Sequence, residues 1–290
     1  MDVIADQIKL PNEDFAGAWS AIKLPTNVRE RLLAQSLLAL QLRQQFPFEA
    51  MPVHGLIILS GPPGTGKTTL ARGLANKVAE ALTGVGASYI EIDPHALMSS
   101  SHGRSQKEVT KLFHQVIPEF ADGGPCMVLL DEVETLAADR QRMSLETNPI
   151  DVHRATDAAL AGIDILTRRH RNVLLFGTTN YPLAVDRALM SRADWIEEIG
   201  PPGPEARTDI ITEVLDQLAG AWPRVADLKS QIGAFVAASE GLDGRRLRKA
   251  IVSAAAASVE TAKDLNKLRA DHVLATLKAV AATHPSEDAA

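Results

Sequence analysis

The chain has 290 residues, enough for one large domain and a smaller second one. Its 46% hydrophobic content and mean hydropathy of −0.02 are those of a globular protein, and its longest apolar runs are too short to span a bilayer. A net charge of −6 argues against a broad nucleic-acid footprint, and the single cysteine, Cys126, excludes an internal disulfide and a cysteine-built metal site.

The first residues, MDVIADQIKLPNEDF, carry no basic segment followed by an apolar core, so the default expectation is a cytoplasmic protein. Residues 1–52 read as a mostly helical connector, with Val28, Leu32, Leu33, Ser36, Leu37 and Leu40 at helical spacing. Leu56–Ser60 then reads as a short strand buried on both faces. Gly61-Pro62-Pro63-Gly64-Thr65-Gly66-Lys67-Thr68 follows, which is the G-x-x-x-x-G-K-[ST] phosphate loop. Its glycines let backbone N–H groups approach phosphates, and Lys67 supplies a point charge for the β- and γ-phosphates. The Thr68 hydroxyl can ligate Mg2+, with Thr69 beside it. Leu70, Leu74, Val78 and Leu82 continue as one apolar helical stripe whose N-terminus faces the bound anion. An ATP or GTP site is the expectation.

Further strands are expected at 88–93, 126–130, 172–176 and 195–199, alternating with helices at 106–117 and 152–169. Arg140–Asp151, polar and containing a proline, reads as a loop. This alternation predicts a parallel five-stranded sheet spanning a large α/β domain, 53–200, with its ligand crevice at the strands' C-terminal ends. Past Gly200-Pro-Pro-Gly-Pro204 the strand pattern stops. Four helical stretches, near 204–219, 224–239, 243–260 and 264–282, predict a small all-helical domain over 201–290. The eight histidines show no zinc-type spacing, so the expected metal arrives with the nucleotide.

Asp131-Glu132 closes the apolar strand 126–130, 64 residues after Lys67. Asp131 is placed to hold Mg2+ and Glu132 to polarise an attacking water. The plainer alternative is an acidic helix start, which the helix dipole favours anyway. Asn180 ends the next strand, where its amide could orient that water or serve only as a turn residue. Arg192 and Arg245 are either solvated surface or the extra positive charge that phosphoryl transfer requires.

Taken in order, GPPGTGKT, MVLLDE, TTN, SRAD and GRRLR resemble an AAA+ ATPase over residues 15–260. The strings IDPHALMSSSHGRSQKEVTKLF, LLDEVETLAADR, ETNPIDVHRATDAALAGID, SRADWIEEIGPP and EGLDGRRLRKA resemble its pachytene checkpoint/thyroid-receptor-interacting-protein subfamily. The resemblance implies a hexameric remodeller that converts closed HORMA-domain proteins to open ones, with ATP and Mg2+ as its nucleotide and metal. It makes Lys67 and Thr68 the Walker A pair and Asp131 and Glu132 the Walker B pair. Asn180 becomes sensor 1, Arg192 an arginine finger acting on a neighbour's ATP, and Arg245 sensor 2 in a helical lid. It places the first pore loop at 99–103, with Met98, Ser101 and His102 as candidate grips, and the second at 146–154, with Glu146 and Arg154. Eukaryotic members carry a substrate-recognition domain of about a hundred residues where this chain has a short connector, and their first pore loop bears aromatics that are missing here. The short form resembles bacterial relatives that release a HORMA protein from a cyclic-oligonucleotide synthase, a nucleotidyltransferase, and keep an antiphage response off. An AAA+ loader acting on nucleic acid, or a nucleotide-gated scaffold ring with little hydrolysis, is the alternative reading.

Overall fold

The computed structural model describes residues 3–82, 84–98, 104–138 and 149–283. The chain divides into two compact units. The first comprises Met1–Ala21, Pro25–Pro62 and Lys67–Ile199, and the second Ile22–Leu24, Pro63–Gly66 and Gly200–Ala290.

The first unit is built on a six-stranded sheet: β1 (Ile4–Leu10), β2 (Leu56–Ser60), β3 (Ala87–Ile92), β4 (Cys126–Leu130), β5 (Val173–Thr179) and β6 (Trp195–Glu198). Their order across the sheet is β1-β3-β4-β5-β2-β6. All pairings are parallel except that of β1 with β3. The five expected strands, β2 to β6, form the parallel sheet, and β1, in the otherwise mostly helical stretch 1–52, adds an unexpected sixth, antiparallel strand at its edge. β1 alternates half-buried Ile4, Asp6 and Ile8 with exposed Ala5, Gln7 and Lys9. An edge strand with one wet face needs no apolar run, and its charged side chains discourage further pairing. The inner strands β2, β3, β4 and β5 are buried along their whole length, which explains their continuous apolar runs.

Helices cover both faces. In chain order they are α1 (Glu13–Ala21), α2 (Thr26–Gln45), α3 (Lys67–Ala81), α4 (Pro94–Met98), α5 (Arg104–Lys111), α6 (Ile117–Ala121), α7 (Val133–Leu136), α8 (Pro149–Arg169) and α9 (Arg187–Met190). Ile58, Val128 and Leu175 turn one way into a core with Val109, Phe113 and Ile163 of the α5–α8 layer. Ile57, Leu59 and Phe176, one residue out of phase, face the other layer, where α3 packs. Each fully buried aliphatic side chain contributes about 1.5–3 kcal/mol relative to exposure. A π-helical turn, Leu112–Val116, joins α5 to α6 and sets Phe113 against Gly162 of α8. Gly73 of α3 lets α1 pack backbone-on: a Cβ there would stand 2.4 Å from the Trp19 nitrogen. α8 starts at Pro149, three residues before the expected start, because proline suits the first helical position, where no N–H is required. Cys126 is fully buried, and burial pushes its thiol up to about 12.

The second unit is helical: α10 (Pro204–Ala221), α11 (Ile232–Ala238), α12 (Gly244–Ser253), α13 (Val259–Lys263) and α14 (Ala270–Thr283). Its core joins Ile211, Leu215, Phe235, Leu247, Ile251, Val273 and Leu277. The stretch expected as one helix over 243–260 breaks after Ser253, runs through a 3-10 turn and restarts at Ser258. Ser258 and Thr261 form a reciprocal capping box there, a stronger helix start than the alanine run preceding it. No helix among the described residues is long and apolar enough to cross a membrane.

Candidate active site

The strand order β4-β5-β2 puts three carboxyl ends side by side, and the sequence places a polar group at each. β2 delivers the loop Gly61–Gly66 into the N-terminus of α3, whose first residue is Lys67. Gly61, Gly64 and Gly66 have φ of +140°, +87° and +90°, so the turn needs glycine at all three. At Gly61 there is no space either: a Cβ would lie 2.2 Å from the Ile199 carbonyl oxygen.

Lys67 is buried, and its Nζ donates to the carbonyl oxygens of Gly61 and Pro62 and to Asn180 Oδ1, each at 2.8 Å. A buried ammonium needs such a cage of oxygens, and phosphate oxygens are the natural replacement for it. The Thr68 hydroxyl donates to Asp131 Oδ1 at 2.9 Å, and the Thr178 hydroxyl donates to the same oxygen. A hydroxyl and a carboxylate this close are a hard-oxygen pair that fits Mg2+, leaving phosphate and water to complete the coordination. Thr69, half-buried, follows in the first turn of α3.

Glu132 has φ +52° and ψ +59°, the left-handed region, and is the one non-glycine among the described residues with positive φ. Its N–H donates to Thr178 Oγ1 at 3.1 Å, which helps hold this strained backbone. The Glu132 carboxylate then lies 3.4 Å from Asn180 Nδ2 and 3.2 Å from His95 Nε2. Asn180 thereby links Lys67 to Glu132, while its own N–H donates to Glu134 at 3.0 Å. Asn180 is therefore a hub of the cluster and more than a turn residue.

Arg192 donates Nε and Nη2 to the two carboxylate oxygens of Asp164 on α8, both at 2.8 Å, and Nη1 to the Ala188 carbonyl. The paired carboxylate raises the Arg192 pKa, and the guanidinium in turn holds Asp164 below its usual range. Two residues on, Asp194 accepts the N–H groups of His54, Gly55 and Leu56, so this segment belongs at the amino end of β2. From His54 to Gly61 an extended chain covers roughly 20 Å. Arg192 is thus a strand length from the phosphate loop of its own chain. Arg245 is exposed in the first turn of α12, behind the cap that Asp243 makes with the Arg246 N–H. Met98 closes α4, and Arg154 is exposed on α8, within the helix expected over 152–169. Ser101, His102 and Glu146 lie outside the described residues.

Sequence reasoning passed over His95, Thr178 and Asp164. The first two carry a usable signal, since both follow or end a strand at the same carboxyl edge. Asp164 carries none: it is one acid among many on an amphipathic helix.

Comparison with known proteins decides the family. The model for the ATPase family associated with various cellular activities (AAA) matches residues 57–201. The chain belongs to the AAA family. Within this AAA group it is 44% identical to CD-NTase-associated protein 6 of Pseudomonas aeruginosa, over 93% of this chain and 90% of that one. It is also 32% identical to the human pachytene checkpoint protein 2 homolog, over 85% of this chain, and spans 63% of that longer protein. Among solved structures, C. elegans PCH-2 superimposes with a TM-score of 0.76 at 25% identity, covering 96% of this chain and 74% of that one. A chain of the E. coli MS115-1 HORMA:CdnC:Trip13 complex gives 0.73 at 17% identity over 94% of each, a likeness of fold alone.

Proposed function

We propose that this AAA protein is a Mg2+-dependent ATP hydrolase that works as a cytoplasmic homohexamer and remodels a HORMA-domain protein. On this reading it opens the closed HORMA state or releases it from a bound nucleotidyltransferase, and so restrains an antiphage response. One observation carries the catalytic part: Lys67, Asn180 and Glu132 are linked at the carboxyl ends of β5, β2 and β4, while Arg192 sits at the opposite end of the same sheet. A finger that cannot reach its own site is useful only to a neighbour's, which requires head-to-tail assembly, and a ring is the closed form of that assembly. Kinship to CD-NTase-associated protein 6 over nearly the full length of both chains supports the synthase-linked setting. Kinship to the pachytene checkpoint proteins supports remodelling.

In this mechanism Lys67 exchanges its oxygen partners for β- and γ-phosphate oxygens. Glu132 accepts the proton of the attacking water, and Asn180 orients that water between the carboxylate and the γ-phosphate. Bound Mg2+ would be held by Thr68 and Asp131 and would neutralise charge on the phosphate oxygens. Arg192 from the next copy stabilises charge on the transferred group, and Arg245 acts as sensor 2 in the 201–290 lid. Met98, Ser101, His102, Glu146 and Arg154 are assigned to the substrate grip. A marginally stable domain holds on the order of 5–15 kcal/mol, so a few cycles can open it locally.

Glu132→Gln tests the assignment. With ATP and a candidate HORMA protein, the variant is expected to bind nucleotide, assemble and hold the partner without converting it. Hydrolysis at the wild-type rate would remove Glu132 from its role.

A further inference from the structure

Arg192 is gripped from one side only. Its Nε–Nη2 edge is bound to both oxygens of Asp164 and Nη1 donates to Ala188, which uses three of the five guanidinium donors. Among the described residues, one donor on each terminal nitrogen is left without a protein acceptor. Two N–H groups on one rigid plane are the fork that phosphate oxygens accept. The pair is half-buried, so Asp164 restricts the long side chain to a narrow range of orientations. His54 Nε2 lies 3.9 Å from Asp164 Oδ1, and burial lowers the imidazole pKa, so near neutral pH the histidine does not compete with Arg192 for the carboxylate. Asp186 adds a weaker attraction to Arg192 and Arg168 one to Asp164, leaving Asp164 the dominant partner.

We propose that Asp164 is the positioning residue for Arg192, holding the guanidinium side-on so that its remaining fork meets the γ-phosphate bound by the neighbouring copy. This rests on the reading of Arg192 as a residue acting in trans. A carboxylate that sequestered the arginine would occupy the fork; this one leaves it open. An ion pair that only stapled α8 to the segment before β6 would set the melting temperature and leave the chemical step alone.

The test is a double-mutant cycle on the assembled full chain with ATP-Mg2+, measuring kcat, KM for ATP and melting temperature. Asp164→Asn keeps the shape and removes the charge. It is expected to lower kcat roughly ten- to hundredfold, the scale on which misplacing a reacting group by about 1 Å acts. KM should stay within about threefold, because the finger's work is done in the transition state. Asp164→Glu should recover part of the loss. In an Arg192→Ala background, Asp164→Asn should cost nothing further, since there is no guanidinium left to place. Unchanged kcat in Asp164→Asn beside a deficient Arg192→Ala would overturn this inference and leave the trans role standing. Losses that multiply in the double variant would overturn it equally. Wild-type turnover in Arg192→Ala would remove the trans role itself, and this inference with it.

Discussion

The two ends of the central sheet are built to opposite specifications. At the amino ends Asp194 accepts three successive N–H groups at the start of β2. Nearby, Arg43 donates to the carbonyl oxygens of Leu166, His170 and Val173 at the end of α8 and the start of β5. Burial lifts the Asp194 pKa and drops that of Arg43 to about 10. At the carboxyl ends Glu132 sits on left-handed backbone, half-exposed, beside an exposed His95. One end ties strands and helices together through shielded, multiply bonded charges. The other keeps a left-handed backbone and an open carboxylate, the kind of local strain that gathers at functional sites.

Substitutions that separate stability from turnover sharpen the contrast. Glu132→Gly is the most telling. Removing a general base is expected to slow hydrolysis about 10²–10⁴-fold. Relieving the left-handed backbone should at the same time raise the unfolding free energy by up to about 1 kcal/mol, as read by chemical denaturation. A loss of stability together with activity would show that Glu132 belongs to the structural class. Arg43→Met should do the reverse. Stripping a cation from three carbonyl groups is expected to cost about 2–4 kcal/mol in the same denaturation measurement, while KM for ATP in the folded protein stays unchanged. If Arg43→Met instead weakened nucleotide binding without destabilising the chain, the division between the two ends would fail.

The carboxyl-end cluster was legible in the sequence because each part is a local signal. Three glycines and a lysine at fixed offsets, an acidic pair after an apolar run and an asparagine after another all declare themselves within a few residues. Strand order then assembles them. What escaped depends on partners far along the chain. β1 is polar on one face, and only its pairing with β3 makes it a strand. The left-handed turn at Glu132 is bonded to Thr178, 46 residues away, and Arg192 is paired with Asp164, 28 residues before it. The break at Ser253 also escaped, since an alanine run favours helix by propensity and yields to the cap at Ser258.

The central claim is that the site is completed across a subunit boundary, and mixing two inactive variants tests it most directly. Lys67→Ala lacks a functional phosphate site but keeps Arg192, whereas Arg192→Ala keeps the site and lacks the finger. Each alone should hydrolyse ATP at a small fraction of the wild-type rate. Combined at increasing ratios, they should regain activity that peaks when both are abundant, because intact sites then meet intact fingers. Absence of any recovery across the series, in samples shown to co-assemble, would contradict the account.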